Sequence, residues 1–386
     1  MSVKANWNYP TSIRFGEGRI TELPDALQVA GIAKPLLVTD PGVRNMPMLA
    51  KVLENLRSAG RPAAVFSQVQ ANPVDHNVEA GVTVYRAGGH DGVIAFGGGS
   101  ALDVGKVVAF MVGQTRPMWE FEDIGDWWTR ADAAGIAPVI AVPTTAGTGS
   151  EVGRAGVITD AASHTKKVIF HPKMMPVITI CDPELTVGLP PHLTAGTGMD
   201  ALAHCLEAYC APTYHPMAEG IAVEGMRLVK ENLARVVADG ADIEARGHMM
   251  SAAAMGATAF QKGLGGVHAL SHPVGALYNT HHGMTNAVFM PYVLAFNARA
   301  IVERMARLAM WLGLKTHSTA GVIDWVLRLR EEVGVPHTLA GLKVGVERIE
   351  EIAMAAEVDP TAGGNPIKFD RAAARQVFAA ALDGKL

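Results

Sequence analysis

The sequence predicts a chain of two parts, an α/β domain built on a parallel sheet and then an all-helical domain. Three observations carry this expectation. Short apolar, β-branched runs alternate with helix-length segments through the first half; apolar residues recur at three- and four-residue spacing through the second; and 386 residues suit two domains of ~100–200 residues each.

Taken in order, Leu36-Leu37-Val38-Thr39, Ala63-Ala64-Val65-Phe66, Val93-Ile94-Ala95-Phe96 and Val139-Ile140-Ala141-Val142 have strand length, and each ends near Gly, Pro, Asp or Asn. Helix-length segments over Met46–Ala59, Asp75–Ala87 and Ser100–Val112 separate them. Strand and helix alternating in this way give a parallel sheet covered on both faces. Ala155–Thr159 with Lys167–Phe170 reads as an appended hairpin, and Val177–Ile180 as a last strand. From Pro190 the pattern turns helical almost to the end: Leu193–Tyr209, Met217–Arg235, Ile243–Phe260, Asn286–Leu312 and Ser318–Val333. The boundary is expected near Asp182–Pro191, which gives domains 1–185 and 186–386, with the crevice between them as the default site. No repeat of fixed period and no low-complexity tract interrupts this plan.

Composition narrows the class of function. Lys plus Arg number 33 against 37 Asp plus Glu, so no basic excess is present to neutralise nucleic acid or an anionic membrane, and neither is expected as a partner. The longest stretch without a charged residue, Gly263–Ala298, is long enough to span a bilayer. It carries four His, three Asn, two Pro and five Gly, which would be costly in lipid, so a buried site is the better reading. Three clustered cysteines, Cys181, Cys205 and Cys210, make no disulfide framework, and the N-terminal MSVKANWNYP lacks the apolar core of a signal peptide. A reducing cytoplasmic compartment is expected, with any metal held by His and carboxylates.

Three constellations carry chemistry. Gly97-Gly98-Gly99-Ser100 follows a strand and opens a helix, with Asp103 and Lys106 one and two turns in. Consecutive glycines let backbone N–H groups approach an anion, and the helix N-terminus adds partial positive charge, which suits a pyrophosphate. The spacing is not GxGxxG, and glycines also serve plain turns. Asp40 ends an earlier strand, where a carboxylate can accept from an adenosine ribose and repel a 2′-phosphate; it can equally cap the turn Asp40-Pro41-Gly42. The loop from Pro143 to Glu151 offers four hydroxyls and two glycines, able to wrap a sugar or nicotinamide or simply to cover a sheet edge. Asp200 and His204 lie one turn apart on an apolar helix, His268 and His272 repeat the spacing, and His282 follows beside His281. Three imidazoles and a carboxylate suit Fe(II) or Zn(II) and not Ca or Mg; a polar network or a phosphate-binding His cluster is the alternative.

GGGSALDVGK, PTTAGTGSEV, GMDALAHCLEAY and HALSHPVGALYNTHHGMTNAVFMP together resemble the iron-containing (group III) alcohol dehydrogenase family, which includes lactaldehyde reductase and propanediol dehydrogenases. The likeness runs from about Tyr9 to the last helices. It implies a dehydroquinate-synthase-like fold with an N-terminal dinucleotide-binding domain and a C-terminal helical metal-binding domain. Carried over by residue, it implies Asp200, His204, His268 and His282 as metal ligands and His272 as a catalytic residue outside the ligand set. His281 is not among the ligands the resemblance implies. The implied cofactor positions are Asp40, Asn72, Gly98, Gly99, Ser100, Asp103, Thr144, Thr145, Thr148, Val157 and Lys166, with Asp40 favouring NAD over NADP. The four metal residues argue against the similar maleylacetate reductases, which lack that set.

The expected activity is therefore NAD-linked, metal-dependent alcohol oxidation or aldehyde reduction by hydride transfer, with Fe(II), or possible Zn(II), polarising the substrate oxygen. A zinc polyol dehydrogenase of the glycerol-dehydrogenase kind is one rival, a metal-dependent hydrolase another, and a non-enzymatic binding module a weaker third. The hydrolase leaves the Gly97–Ser100 cradle without a role. Val152, Gly153 and Phe260 are expected to line the pocket for a small alcohol or aldehyde, and a homodimer or larger homo-oligomer follows from the resemblance. Trp119, Trp127 and Trp128 could close over substrate, though such aromatics more often form a satellite cluster under a loop.

Overall fold

The computed structural model describes residues 9, 11–163 and 165–386, so most of the N-terminal segment read above as lacking a leader lies outside the described residues. The chain forms two compact units. One comprises Tyr9–Thr145 with Gly149–Val187, and the other joins Ala146–Thr148 to Gly188–Leu386.

The first unit is built on six strands: β1 (Ser12–Phe15), β2 (Pro35–Val38), β3 (Ala64–Phe66), β4 (Gly92–Gly97), β5 (Val139–Pro143) and β8 (Ile178–Cys181). All pair in parallel in the order β1-β8-β5-β4-β2-β3. Helices α1 (Leu23–Val29), α2 (Pro41–Arg44), α3 (Pro47–Ser58), α4 (Asp75–Gly88) and α5 (Gly99–Met111) connect them. The strands β2, β4, β5 and β8 bury both faces, so their residues sort alternately into two cores. Val93, Ala95, Val139 and Ala141 pack with Val78 of α4 and Leu102 and Phe110 of α5, while Ile94, Phe96, Ile140 and Val142 pack with Leu27 of α1 and Leu56 of α3. At ~1.5–3 kcal/mol for each large side chain buried, these two layers are the unit's main stabilisation. The hairpin β6 (Ala155–Asp160) and β7 (Thr165–Phe170) is antiparallel and joins the first core through Ile158 and Ile169.

The strand order positions a ligand site. From β2 the chain passes outward to β3 and returns to β4 on β2's other side, so the order reverses between β2 and β4. Ligands of open α/β sheets bind outside the carboxyl ends of strands at such a reversal. Asp40 follows β2 there, and Gly98 and Gly99 follow β4.

The second unit is helical: α6 (Pro191–Cys210), α7 (Pro216–Ala238), α8 (Ile243–Ala259), α9 (Gly266–Tyr278), α10 (His282–Trp311), α11 (Thr319–Glu332), α12 (Ile349–Val358) and α13 (Arg371–Asp383). Every residue of α6 from Thr194 to Cys210 except Thr197 is buried, so this helix forms the unit's centre. The sequence places α6, α7, α8 and α11 within three residues at each end but starts α10 four residues late, at Asn286, because the apolar periodicity begins only after the polar first turn. Cys181, Cys205 and Cys210 are buried free thiols. Among the described residues no helix is long and apolar enough to cross a membrane, so the charge-free stretch folds instead into α9 and the first half of α10.

Candidate functional site

The helical unit gathers one carboxylate and three imidazoles. Asp200 and His204 share a face of α6, and Asp200 Oδ1 lies 3.8 Å from His204 Nε2, 3.9 Å from His268 Nε2 and 3.6 Å from His282 Nε2. Asp200, His204 and His268 are all buried, with candidate ligand atoms within 4.8 Å of one another. A tetrahedral cation with bonds of ~2.1 Å would separate its ligand atoms by roughly 3.4 Å. The three Asp200–His separations lie within about 0.5 Å of that value, and the N₃O donor set suits a transition metal.

The backbone explains how His282 arrives there. His281 caps α10, its Nδ1 accepting from Met284 N at 3.3 Å, so that ring serves the helix terminus. The next residue, His282, begins the helix and turns to Asp200. Gly283 permits the approach, since a Cβ there would stand 2.0 Å from the Gly196 carbonyl oxygen of α6.

Each ring has its own electrostatic setting. Burial lowers the pKa of His204 to about 4 against the opposing charge of Asp200, favouring the neutral imidazole that a metal requires. For His268 burial also disfavours charge, but Glu207 outweighs it and the pKa is raised. Glu207 Oε2 lies 2.5 Å from His268 Nδ1, and its Oε1 accepts from Val267 N at 2.7 Å. One carboxylate thus caps the start of α9 and orients the ring of its third residue, leaving Nε2 toward Asp200. His272 stands apart from this convergence. Its Nδ1 pairs with Asp359 Oδ2 at 2.8 Å and its ring stacks on His282, centroids 5.6 Å apart. Burial disfavours ionised Asp359, yet His272 and Thr361 outweigh it and hold its pKa below the usual carboxylate range. Phe260 meets His204 edge-on at 5.1 Å.

The α/β unit builds the cradle. Gly97 has φ +145°, and a Cβ on it would meet Ala101 Cβ at 2.8 Å and Asp40 Oδ2 at 3.3 Å. Gly98 precedes α5, whose N-terminus has no side-chain cap, so its first N–H groups are available to an anion. Asp40 caps α2, its Oδ1 accepting from Val43 N at 2.9 Å, while Oδ2 faces Gly97. Thr144 N donates to Gly97 O at 3.0 Å, and Thr145 stands beside Gly98. Ser100 Oγ donates to Ala71 O at 2.5 Å, in the turn that also holds Asn72. Lys166 lies on β7 opposite Thr159. Thr148 belongs to the three-residue segment counted with the helical unit.

Asp103 is occupied internally. Its Oδ1 accepts from Ser150 Oγ at 2.5 Å and its Oδ2 from Val157 N at 3.0 Å. One turn on, buried Lys106 donates to the carbonyls of Ser150 and Gly153, at 2.9 and 3.4 Å, and to that of Ala155. Together they pin the loop that carries Val152, which is buried, and Gly153. The three tryptophans pack within their own unit: Trp128 edge-on to Phe170 and His171, Trp127 under Arg130, and Trp119 beside Lys167. These contacts are those of a satellite cluster.

Sequence reasoning missed Glu207, Asn286 and Asp359. Glu207 follows His204 by three residues on one helical face, and Asn286 follows His282 by four, so helical spacing could have found both. Asp359 is 87 residues from His272, and no local pattern marks it.

Comparison with known proteins covers nearly the whole chain. Residues 10–183 match the model of the iron-containing alcohol dehydrogenase family, and residues 194–382 that of the Fe-containing alcohol dehydrogenase C-terminal region. The 4-hydroxybutyrate dehydrogenase of Cupriavidus necator is 39% identical, over 96% of this chain and 98% of its own. The NAD-dependent methanol dehydrogenase of Bacillus methanolicus is 36% identical, over 94% and 95%. A crystal structure of 1,3-propanediol oxidoreductase superposes with TM-score 0.93 at 34% identity, over 98% of this chain and 100% of that one.

Proposed function

Since the chain belongs to the iron-containing alcohol dehydrogenase family and is an alcohol–aldehyde oxidoreductase, we propose that it uses NAD(H) and Fe(II), with Zn(II) as the alternative, on a small alcohol or aldehyde. Asp200, His204, His268 and His282 would hold the metal. The observation that carries this reading is the convergence of three Nε2 atoms on Asp200 Oδ1 within 3.9 Å. The relatives named for 4-hydroxybutyrate, methanol and 1,3-propanediol share a terminal hydroxyl on a short chain, which supports that substrate class.

When bound, the metal supplies a Lewis acid for the substrate oxygen and the nicotinamide supplies or accepts a hydride. The chain's residues do the rest. Gly98, Gly99 and Ser100 would receive the pyrophosphate at the α5 N-terminus, and Asp40 Oδ2 the adenosine ribose. Asn72, Thr144, Thr145, Thr148, Val157 and Lys166 would complete the cofactor contacts. Asp103 contributes by holding Val157 N and Ser150 in place. Asp359 keeps the proton of His272 on Nδ1, which leaves Nε2 as the atom that takes or returns the substrate proton. Phe260, Val152 and Gly153 are proposed substrate contacts. The proposed cofactor residues lie mostly in one unit and the proposed metal residues in the other.

A reducing cytoplasmic location accords with three buried, unbridged cysteines. A homodimer or larger homo-oligomer is supported by the sheet-edge strand β1, whose Ile13 and Phe15 are exposed. The test is NADH oxidation over a panel of C2–C4 aldehydes by protein stripped with a chelator and reloaded separately with Fe(II), Zn(II) and Mn(II). Activity should depend on metal and exceed that with NADPH. Full activity after stripping, with no divalent metal found by elemental analysis, would remove the metal from the mechanism.

A further inference from the structure

A hydrogen-bond donor stands among the four candidate ligands. Asn286, one turn beyond His282 on α10, is fully buried. Its Nδ2 lies 2.7 Å from Asp200 Oδ1, 3.1 Å from His282 Nε2 and 3.2 Å from His268 Nε2. At its other end Oδ1 is buried without a hydrogen-bond partner among the described residues. Exchanging the two ends would set Oδ1 against the carboxylate oxygen, acceptor against acceptor, so the donor end fixes the orientation of the side chain. The amide carbonyl goes unsatisfied while its NH₂ serves the ligand set, an arrangement that core packing alone does not require.

We propose that Asn286 is a positioning residue of the metal site, which holds the Asp200 carboxylate in place. The inference rests on the ligand assignment above. A bond to an ionised carboxylate is the stronger kind, and at 2.7 Å it fixes the Asp200 rotamer. Asp200 Oδ1 has lone pairs for both the amide and a cation. Glu207 Oε2 orients His268 from its Nδ1 side, and Asn286 orients the neighbouring carboxylate. Partners of this kind outside the ligands themselves typically alter metal affinity 10–100-fold.

The experiment is a Co(II) titration of chelator-stripped protein, with the dissociation constant read by competition with a chelating dye and the geometry by visible d–d absorption. Asn286→Leu keeps the branched shape and removes the donor; it should weaken binding by about 10–100-fold. Asn286→Asp keeps the shape and reverses the hydrogen-bond sense at Asp200; it should shift the d–d bands. Asp200→Asn serves as the ligand control. Wild-type dissociation constants and spectra in both Asn286 variants would overturn the proposal while leaving the ligand assignment intact. No Co(II) uptake by the wild type would overturn both. Circular dichroism checks the fold, and if the Leu variant fails to fold, the spectrum of the Asp variant decides.

Discussion

Glu151 is a carboxylic acid sealed into the α/β unit, 2% exposed, in the loop held by Asp103 and Lys106. Burial raises its pKa from an ordinary 4.5 to about 7, against the opposing pull of its own backbone N–H and the charge of Lys106. The folded form therefore holds its proton more tightly than the unfolded chain. Stability from this group is fully present below pH 4.5 and is lost as pH rises through about 7. That displacement corresponds to about 3 kcal/mol lost between pH 4 and 8, most of it above pH 5. Glu151→Gln, neutral at every pH, should match the wild type near pH 4 and exceed it by about 3 kcal/mol at pH 8. Urea unfolding across this range supplies the free energies. Hydrogen exchange of peptides covering β4, β5 and β8 assigns the change to the unit that contains Glu151. Parallel pH profiles for the two proteins would show that Glu151 is ionised in the folded state at neutral pH, and the argument from burial would be wrong.

Three further outcomes follow from the sites. Gly283→Ala places a methyl 2.0 Å from the Gly196 carbonyl and 3.1 Å from Asp200 Cβ, so α10 must shift; we expect a loss of about 2–3 kcal/mol in thermal unfolding, and an unchanged midpoint would refute the close approach. His272→Ala should retain its metal by elemental analysis while kcat falls by roughly 10²–10⁴, and undiminished turnover would remove His272 from proton transfer. Asp40→Gly should raise the NADP/NAD ratio of kcat/KM by about tenfold, with only a few tenths of a kcal/mol lost at the α2 cap; an unaltered ratio would place cofactor choice elsewhere.

The features legible in the sequence were those with strong local periodicity. β2, β4, β5 and β8 are buried on both faces and read as continuous apolar runs. β1 was missed because Ser12–Phe15 is a short edge strand and largely exposed, with no apolar run to mark it. The Asp200/His204 pair was visible because four residues span one helical turn, and the Gly97–Ser100 cradle because glycines cluster at a strand end. Asp103 shows where local reading stops. Its position in the first turns of α5 suggested a cofactor contact, whereas its oxygens reach 47 and 54 residues along the chain to Ser150 and Val157. Pairings of that separation depend on the closed fold and leave no local pattern.

The three-residue segment Ala146–Thr148 limits how this protein can be recombined. Gly147 belongs with the helical unit, where an added Cβ would lie 2.8 Å from Thr197 Cβ on α6, although both flanking segments belong to the α/β unit. A chimera joined only at Val187/Gly188 would pair one parent's α6 with the other's Ala146–Thr148. Exchanging the helical half between relatives therefore calls for two grafts, one of 199 residues from position 188 to 386 and one of three. The shorter graft carries the risk of steric mismatch, because Gly147 admits no larger residue without moving Thr197.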